Sequence, residues 1–178
     1  MFKRDFSVVL LGDYAVGKTC LLHTYLRGFF QPEYVPSVRT SVFEKEYSFT
    51  NYKIKLFFWD VCGERVLDDS RKACYANAQA FIIVYDVCRP PSLKAVEEWC
   101  GMVRSTASNP IIWLVGNKID LKDSRLVSRE EAEGKARSLG VSYIEVSAKT
   151  GENVEALFRY VLRDLVKARL EYVRKLLG

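Results

Sequence analysis

Residues 6–26 read "FSVVLLGDYAVGKTCLLHTYL". An apolar run stops at Gly12, and Gly17-Lys18-Thr19 opens an amphipathic pattern five residues later. The spacing G-x-x-x-x-G-K-[ST] needs a buried strand, a tight loop and a helix, in that order. Gly12, Asp13, Tyr14, Ala15, Val16 and Gly17 then form a cradle whose backbone amides, with the helix N-terminus at Lys18, Thr19 and Cys20, hold phosphate oxygens. Lys18 is placed to reach the β and γ phosphates, and the Thr19 hydroxyl to bind Mg²⁺. The loop specifies a nucleoside triphosphate without specifying its base.

The rest of the chain alternates short apolar runs with helical patterns. "TSVFEKEYSF" and "YKIKLFFWD" alternate with period two around "TNY", which predicts an antiparallel hairpin. "FIIVYD", "IIWLVGN" and "SYIEVSA" are short strands, followed by helical patterns over 92–104, 128–139 and from Val154 onward. The expected fold is α/β: a six-stranded, mostly parallel sheet with one antiparallel strand and helices on both faces. Nothing resembles a linker or an internal repeat, so residues 1–178 are expected to form one domain with an extended C-terminal helix.

Ligands of such sheets bind outside the carboxyl ends of the strands. Gly12–Thr19, Asp60–Gly63, Asn117–Asp120 and Ser147–Lys149 all follow strands at that edge. In "NKID" the Asn117 amide and the Asp120 carboxylate fit guanine, whose ring N–H and exocyclic amine are both donors. Adenine presents no such pair. Lys118 can lie along the neighbouring loop, and Ser147, Ala148 and Lys149 can close over the base.

Composition excludes several other classes. Half of the residues are hydrophobic and 28% are charged, the balance of a globular protein. No apolar run approaches the roughly 18 residues of a membrane span. Five cysteines without a C-x-x-C pair argue against a disulfide framework or a zinc site and for a reducing, cytoplasmic setting. His23 is the only histidine, which removes a histidine-based metal site or triad. Much of the net charge of +5 lies in residues 159–178, where six basic side chains face two acidic ones. The body is close to neutral, so no nucleic-acid partner is expected.

The four motifs together resemble a Ras-superfamily small GTPase of the Rab branch, over about residues 6–167. The resemblance implies a P-loop small G domain that binds GTP or GDP with Mg²⁺. "WDVCGER" resembles the W-D-x-x-G stretch, which places Asp60 near the metal and the Gly63 amide at the γ phosphate. "YVPS" resembles the first switch, so Ser37 takes the place of a metal-binding threonine, with Thr40 as the nearby alternative. Phe30 falls where an aromatic ring packs against guanine. The implied metal set is Thr19, Ser37 and Asp60; the implied partners are effector, exchange-factor and activator proteins, and the implied state is a monomer.

Departures from the family pattern accompany the matches. Tyr14 and Ala15 stand where relatives of this loop have glycine or serine. Glu64 stands at the position of the glutamine that orients the attacking water, which leaves Lys18 and Glu64 as the catalytic candidates. Val61 and Cys62 replace Thr-Ala, leaving a thiol near the phosphates. No cysteine follows Cys100, so the prenylated C-terminal cysteine of the family is missing from these residues. Val154, Leu157, Phe158, Val161, Leu162, Leu165, Leu170, Val173 and Leu177 instead repeat at helical spacing, and the basic helix is a candidate for a membrane surface. The expected function is a guanine-nucleotide switch in trafficking or signalling with slow intrinsic hydrolysis. A self-sufficient GTPase and a P-loop kinase of small molecules are the alternatives.

Overall fold

A computed structural model describes residues 2–30, 40–61 and 69–177. Among them, β1 (Phe2–Leu11) begins earlier than the apolar run, because Phe2–Asp5 pair in parallel with Tyr52–Lys55. The helix α1 (Lys18–Arg27) is shorter than the apolar pattern after the loop. Gly28 ends it with φ 78°, donating its N–H to the Thr24 carbonyl at 2.9 Å. β2 (Ser41–Ser48) and β3 (Tyr52–Asp60) form the hairpin, closed by Phe49 N–H to Tyr52 O at 2.8 Å.

After α2 (Asp69–Asn77) and β4 (Ala80–Asp86), the pattern expected as one helix over 92–104 is divided. α3 (Pro90–Lys94) starts earlier on a proline at its first position, and α4 (Val96–Thr106) follows. Ala95, a turn residue between them, keeps right-handed helical dihedrals. β5 (Ile111–Asn117), α5 (Arg129–Leu139), β6 (Ser142–Glu145) and α6 (Val154–Leu177) complete the order. Ser128 caps α5 by accepting from the Glu131 amide at 3.1 Å.

The sheet order is β2-β3-β1-β4-β5-β6, with β2 antiparallel to β3 and the other pairs parallel. Alternation within the central strands builds two cores. Val8, Leu10, Ile82 and Val84 face Leu21, Leu22, Tyr25, Phe158 and Val161. Val9, Leu11, Phe81 and Ile83 face Tyr75, Leu93, Trp99, Val103 and Ala132. Both faces are covered there, which explains the unbroken apolar runs Val8–Leu11 and Ala80–Val84. Tyr25 stacks on Phe158 at 3.8 Å between centroids, with the Phe58 ring edge-on to both.

Register fixes the site edge. Leu10 is level with Asp60, Leu11 with Ile83, and Asp86 with Asn117. The strands therefore deliver Gly12, Asp60, Asp86 and Asn117 to one rim. Along α6, Val154, Leu157, Phe158, Val161 and Leu165 are buried, whereas Leu170 is exposed. The apolar repeat thus outlasts the core that it packs against.

Candidate functional site

Each carbonyl of the loop from Gly12 to Gly17 accepts from a donor. Lys18 Nζ donates to the Gly12 and Asp13 carbonyls at 2.8 and 3.0 Å. Arg89 donates to the Tyr14 carbonyl at 2.6 Å, and Lys118 Nζ to that of Ala15 at 3.0 Å. Asn117 Nδ2 donates to the Val16 carbonyl at 2.9 Å, and the Leu21 amide to that of Gly17 at 2.9 Å. Two glycines permit this path. A Cβ on Gly12, at φ 132°, would lie 2.1 Å from the Val84 carbonyl oxygen, and one on Gly17, at φ 95°, would lie 2.3 Å from Asn117 Nδ2.

The loop borders a cavity of about 280 Å³. Tyr14, Ala15, Gly17, Lys18, Thr19, Cys20, Phe30, Asp60, Asn117, Lys118, Asp120, Ala148 and Lys149 line it, together with Val61 and Leu121. Gly12, Asp13, Val16 and Ser147 stand behind that lining. The Ser147 hydroxyl donates to Asp120 Oδ1 at 2.6 Å, and the Ala148 amide donates to Asn117 Oδ1 at 3.0 Å. Asn117, 1% exposed, thereby joins the phosphate loop to the loop after β6. Ser37, Cys62, Gly63 and Glu64 lie outside the described residues; Thr40 is exposed directly before β2.

Thr19 Oγ1 donates to Asp60 Oδ2, and both side chains are buried. A hydroxyl and a carboxylate at the mouth of a phosphate cradle are hard oxygen donors of the kind that suit Mg²⁺, so these residues fit that ion. Lys18 is also buried, with its ammonium held among carbonyl oxygens. Burial pushes the Cys20 thiol above its ordinary value, against the nearby Lys118 charge, so it remains protonated at neutral pH.

Several residues around the site carry no motif. Asp86 ends β4, pairs with Lys118 Nζ at 2.6 Å and accepts from the Cys88 amide at 2.9 Å. Trp99, 1% exposed, donates from Nε1 to Asp13 Oδ1 at 3.0 Å. The rule that places ligands beyond strand ends points to Asp86 and Arg89 once it is applied to β4. Trp99 arrives from a helix, and local sequence holds no signal for it.

A polar chain braces the strand that leads to Ser147. The Tyr85 and Tyr143 hydroxyls are 2.9 Å apart, Tyr143 donates to Glu145 Oε1 at 2.7 Å, and Arg125 grips the same carboxylate with Nη1 and Nη2. Burial pushes Tyr85 up to about 12 and raises Tyr143 as well, so both stay neutral donors. Burial opposes ionisation of Glu145, but hydrogen bonds from Arg125 and Tyr143 outweigh it and hold the carboxyl below its usual value.

Comparisons with known proteins agree with this geometry. Residues 7–167 match the model of the Ras family. The chain is 36% identical over 154 residues to Ras-related protein Rab-30 of Homo sapiens, covering 86% of this chain and 76% of that protein. It is 34% identical over 162 residues to Ras-related protein Rab-26 of Bos taurus, covering 90% of this chain and 63% of that protein. Members of this family are GTP-binding switches and GTPases. With the phosphate loop, the mixed six-stranded sheet and these similarities together, the chain belongs to the Ras family of small GTPases, on its Rab-like side.

Proposed function

We propose that this chain is a guanine-nucleotide switch that binds GTP or GDP with Mg²⁺ in the cavity bordered by Gly12–Thr19, Asn117–Asp120 and Ser147–Lys149. The observation that carries this reading is Asn117, which bonds both the phosphate loop and the loop after β6 from one buried amide. Backbone amides and Lys18 hold the phosphates, Asp120 accepts from the guanine edge, and Lys118 and Phe30 flank the ring. Thr19, Ser37 and Asp60 hold the metal, which neutralises phosphate charge when bound. GTP is distinguished from GDP through the roles that the family resemblance gives Ser37 and Gly63, and partners read that state.

Hydrolysis is slow in this reading. Tyr14 lines the cavity and is 57% exposed; in this reading its side chain obstructs the space above a bound γ phosphate. Glu64 replaces an amide that both donates and accepts with a charge that opposes an anionic transition state. It is also too weak a base at an ordinary pKa of about 4.3.

Residues 1–178 act as one domain, a cytoplasmic monomer engaged in trafficking or signalling. Effector, exchange-factor and activator proteins dock around the switch segments. Exposed Val42 on the edge strand β2, level with Trp59 on β3, supports a protein partner there. The basic end of α6 meets anionic membrane surfaces; no helix among the described residues is long and apolar enough to cross a membrane.

Titration with guanine and adenine nucleotides, with mass spectrometry of nucleotide released from the purified protein, tests the central statement. A clear preference for GDP and GTP is expected. Equal affinity for ADP overturns it.

A further inference from the structure

The phosphate loop contains a residue that its conformation disfavours. Ala15 adopts φ 60°, a left-handed geometry that a Cβ makes costly. The carbonyls on either side of Ala15's Cα are both held from behind. Lys118 Nζ bonds the Ala15 carbonyl, and Arg89 bonds the Tyr14 carbonyl at 2.6 Å. Lys118 belongs to the "NKID" motif; Arg89 belongs to none.

Arg89 is delivered from a stiff corner. Its N–H donates to the Asp86 carbonyl at 2.9 Å, and its own carbonyl accepts from the buried Ser92 hydroxyl at 2.6 Å. Pro90 follows as the first residue of α3 and fixes the chain direction. The Tyr14 carbonyl and the Ala15 N–H share one trans peptide, so they point in opposite directions. Pinning the carbonyl outward turns the amide inward, toward the cavity that Tyr14 and Ala15 line.

We propose that Arg89 is a positioning residue of the phosphate cradle, holding the Tyr14–Ala15 peptide so that the left-handed Ala15 presents its amide to phosphate. This rests on the guanine-nucleotide reading above. An alanine released on one side drifts toward the right-handed basin, whereas glycine populates the left-handed region readily. Arg89 is needed because residue 15 carries a side chain.

The test is release of fluorescently labelled GDP from the full chain with Mg²⁺, in single and double variants. Arg89→Ala should release GDP about tenfold faster, the scale of one charge-assisted hydrogen bond, and Arg89→Lys should recover part of the loss. In an Ala15→Gly background the same Arg89→Ala change should accelerate release by about twofold or less. Thermal melting of the parent and the four variants controls for folding, since a merely structural arginine costs the same in both backgrounds. Equal acceleration in the two backgrounds, or none in either, overturns the proposal alone. Failure of the unmodified chain to bind guanine nucleotides overturns the underlying reading, and this proposal with it.

Discussion

Ser147 donates its hydroxyl to Asp120 at 2.6 Å, across the gap between the loops that follow β6 and β5. The same oxygen accepts from the Thr150 amide at 3.0 Å, so the hydroxyl proton is committed to the carboxylate. Asp120, which lines the cavity, is thereby fixed in place as an acceptor.

Asp120→Asn should therefore weaken GDP binding by about ten- to a hundredfold, the scale of a charge-assisted hydrogen bond. Ser147→Ala should weaken it by less, about fivefold, because the carboxylate survives but loses its brace. Isothermal titration of both variants checks the order. Unchanged GDP affinity in Asp120→Asn would count against guanine recognition by this residue.

Asn117→Ala should cost both binding and fold stability. Its removal leaves the Val16 carbonyl and the Ala148 amide without the partners that they have at 2.9 and 3.0 Å. Burial of those groups makes the loss about 2–3 kcal/mol. Denaturant unfolding of the nucleotide-free protein measures it apart from affinity. A midpoint unchanged from the parent would contradict the bracing role.

Acid sensitivity should pass through Glu145. Its folded pKa lies below that of the unfolded chain because Arg125 and Tyr143 outweigh burial. The carboxylate thus contributes its full stabilisation above the unfolded value of about 4.3, and this is lost as pH falls through the folded value. Glu145→Gln should destabilise the protein at pH 7 by about 2 kcal/mol and flatten its stability between pH 5 and the acid limit. Parallel urea titrations, stepped from pH 7 down through the folded value of Glu145, compare the two proteins. A Gln variant that retains the parent's full acid sensitivity would reject this assignment.

Single-turnover hydrolysis tests the obstruction at Tyr14 and Glu64. Ras without an activator turns over on the order of 3–5 × 10⁻⁴ per second. This protein should be no faster, and an arginine-finger activator should add little. Tyr14→Gly combined with Glu64→Gln should raise the rate. Turnover well above the Ras figure by the unmodified protein would overturn the obstruction.

Removal of residues 168–178 should abolish salt-sensitive binding to vesicles containing anionic lipid. That segment carries Arg169, Arg174 and Lys175 beside exposed Leu170 and Tyr172. Co-sedimentation at low and high salt checks this, and equal binding by the shortened chain would exclude the helix as a membrane contact.

Local pattern determined the strands, most of the helices and the motif positions, but it did not mark α2 or the division of α3 from α4. The alternation in "YKIKLFFWD", the continuous apolar "FIIVYD" and the glycine spacing of the phosphate loop are each consequences of backbone geometry and of one buried face or two. They were legible because each acts within a few residues. Helix ends were less so: α1 stops at Gly28 and α3 starts at Pro90, where a single glycine or proline outweighs the hydrophobic period. Tertiary structure alone decided what stands behind the loop. Trp99 reaches Asp13 from 86 residues away, Arg89 reaches Tyr14 from 75, and Tyr85 meets Tyr143 across 58. Parallel strands are joined through crossover helices, so neighbours at the sheet edge are distant in sequence, and no local spacing encodes their contact.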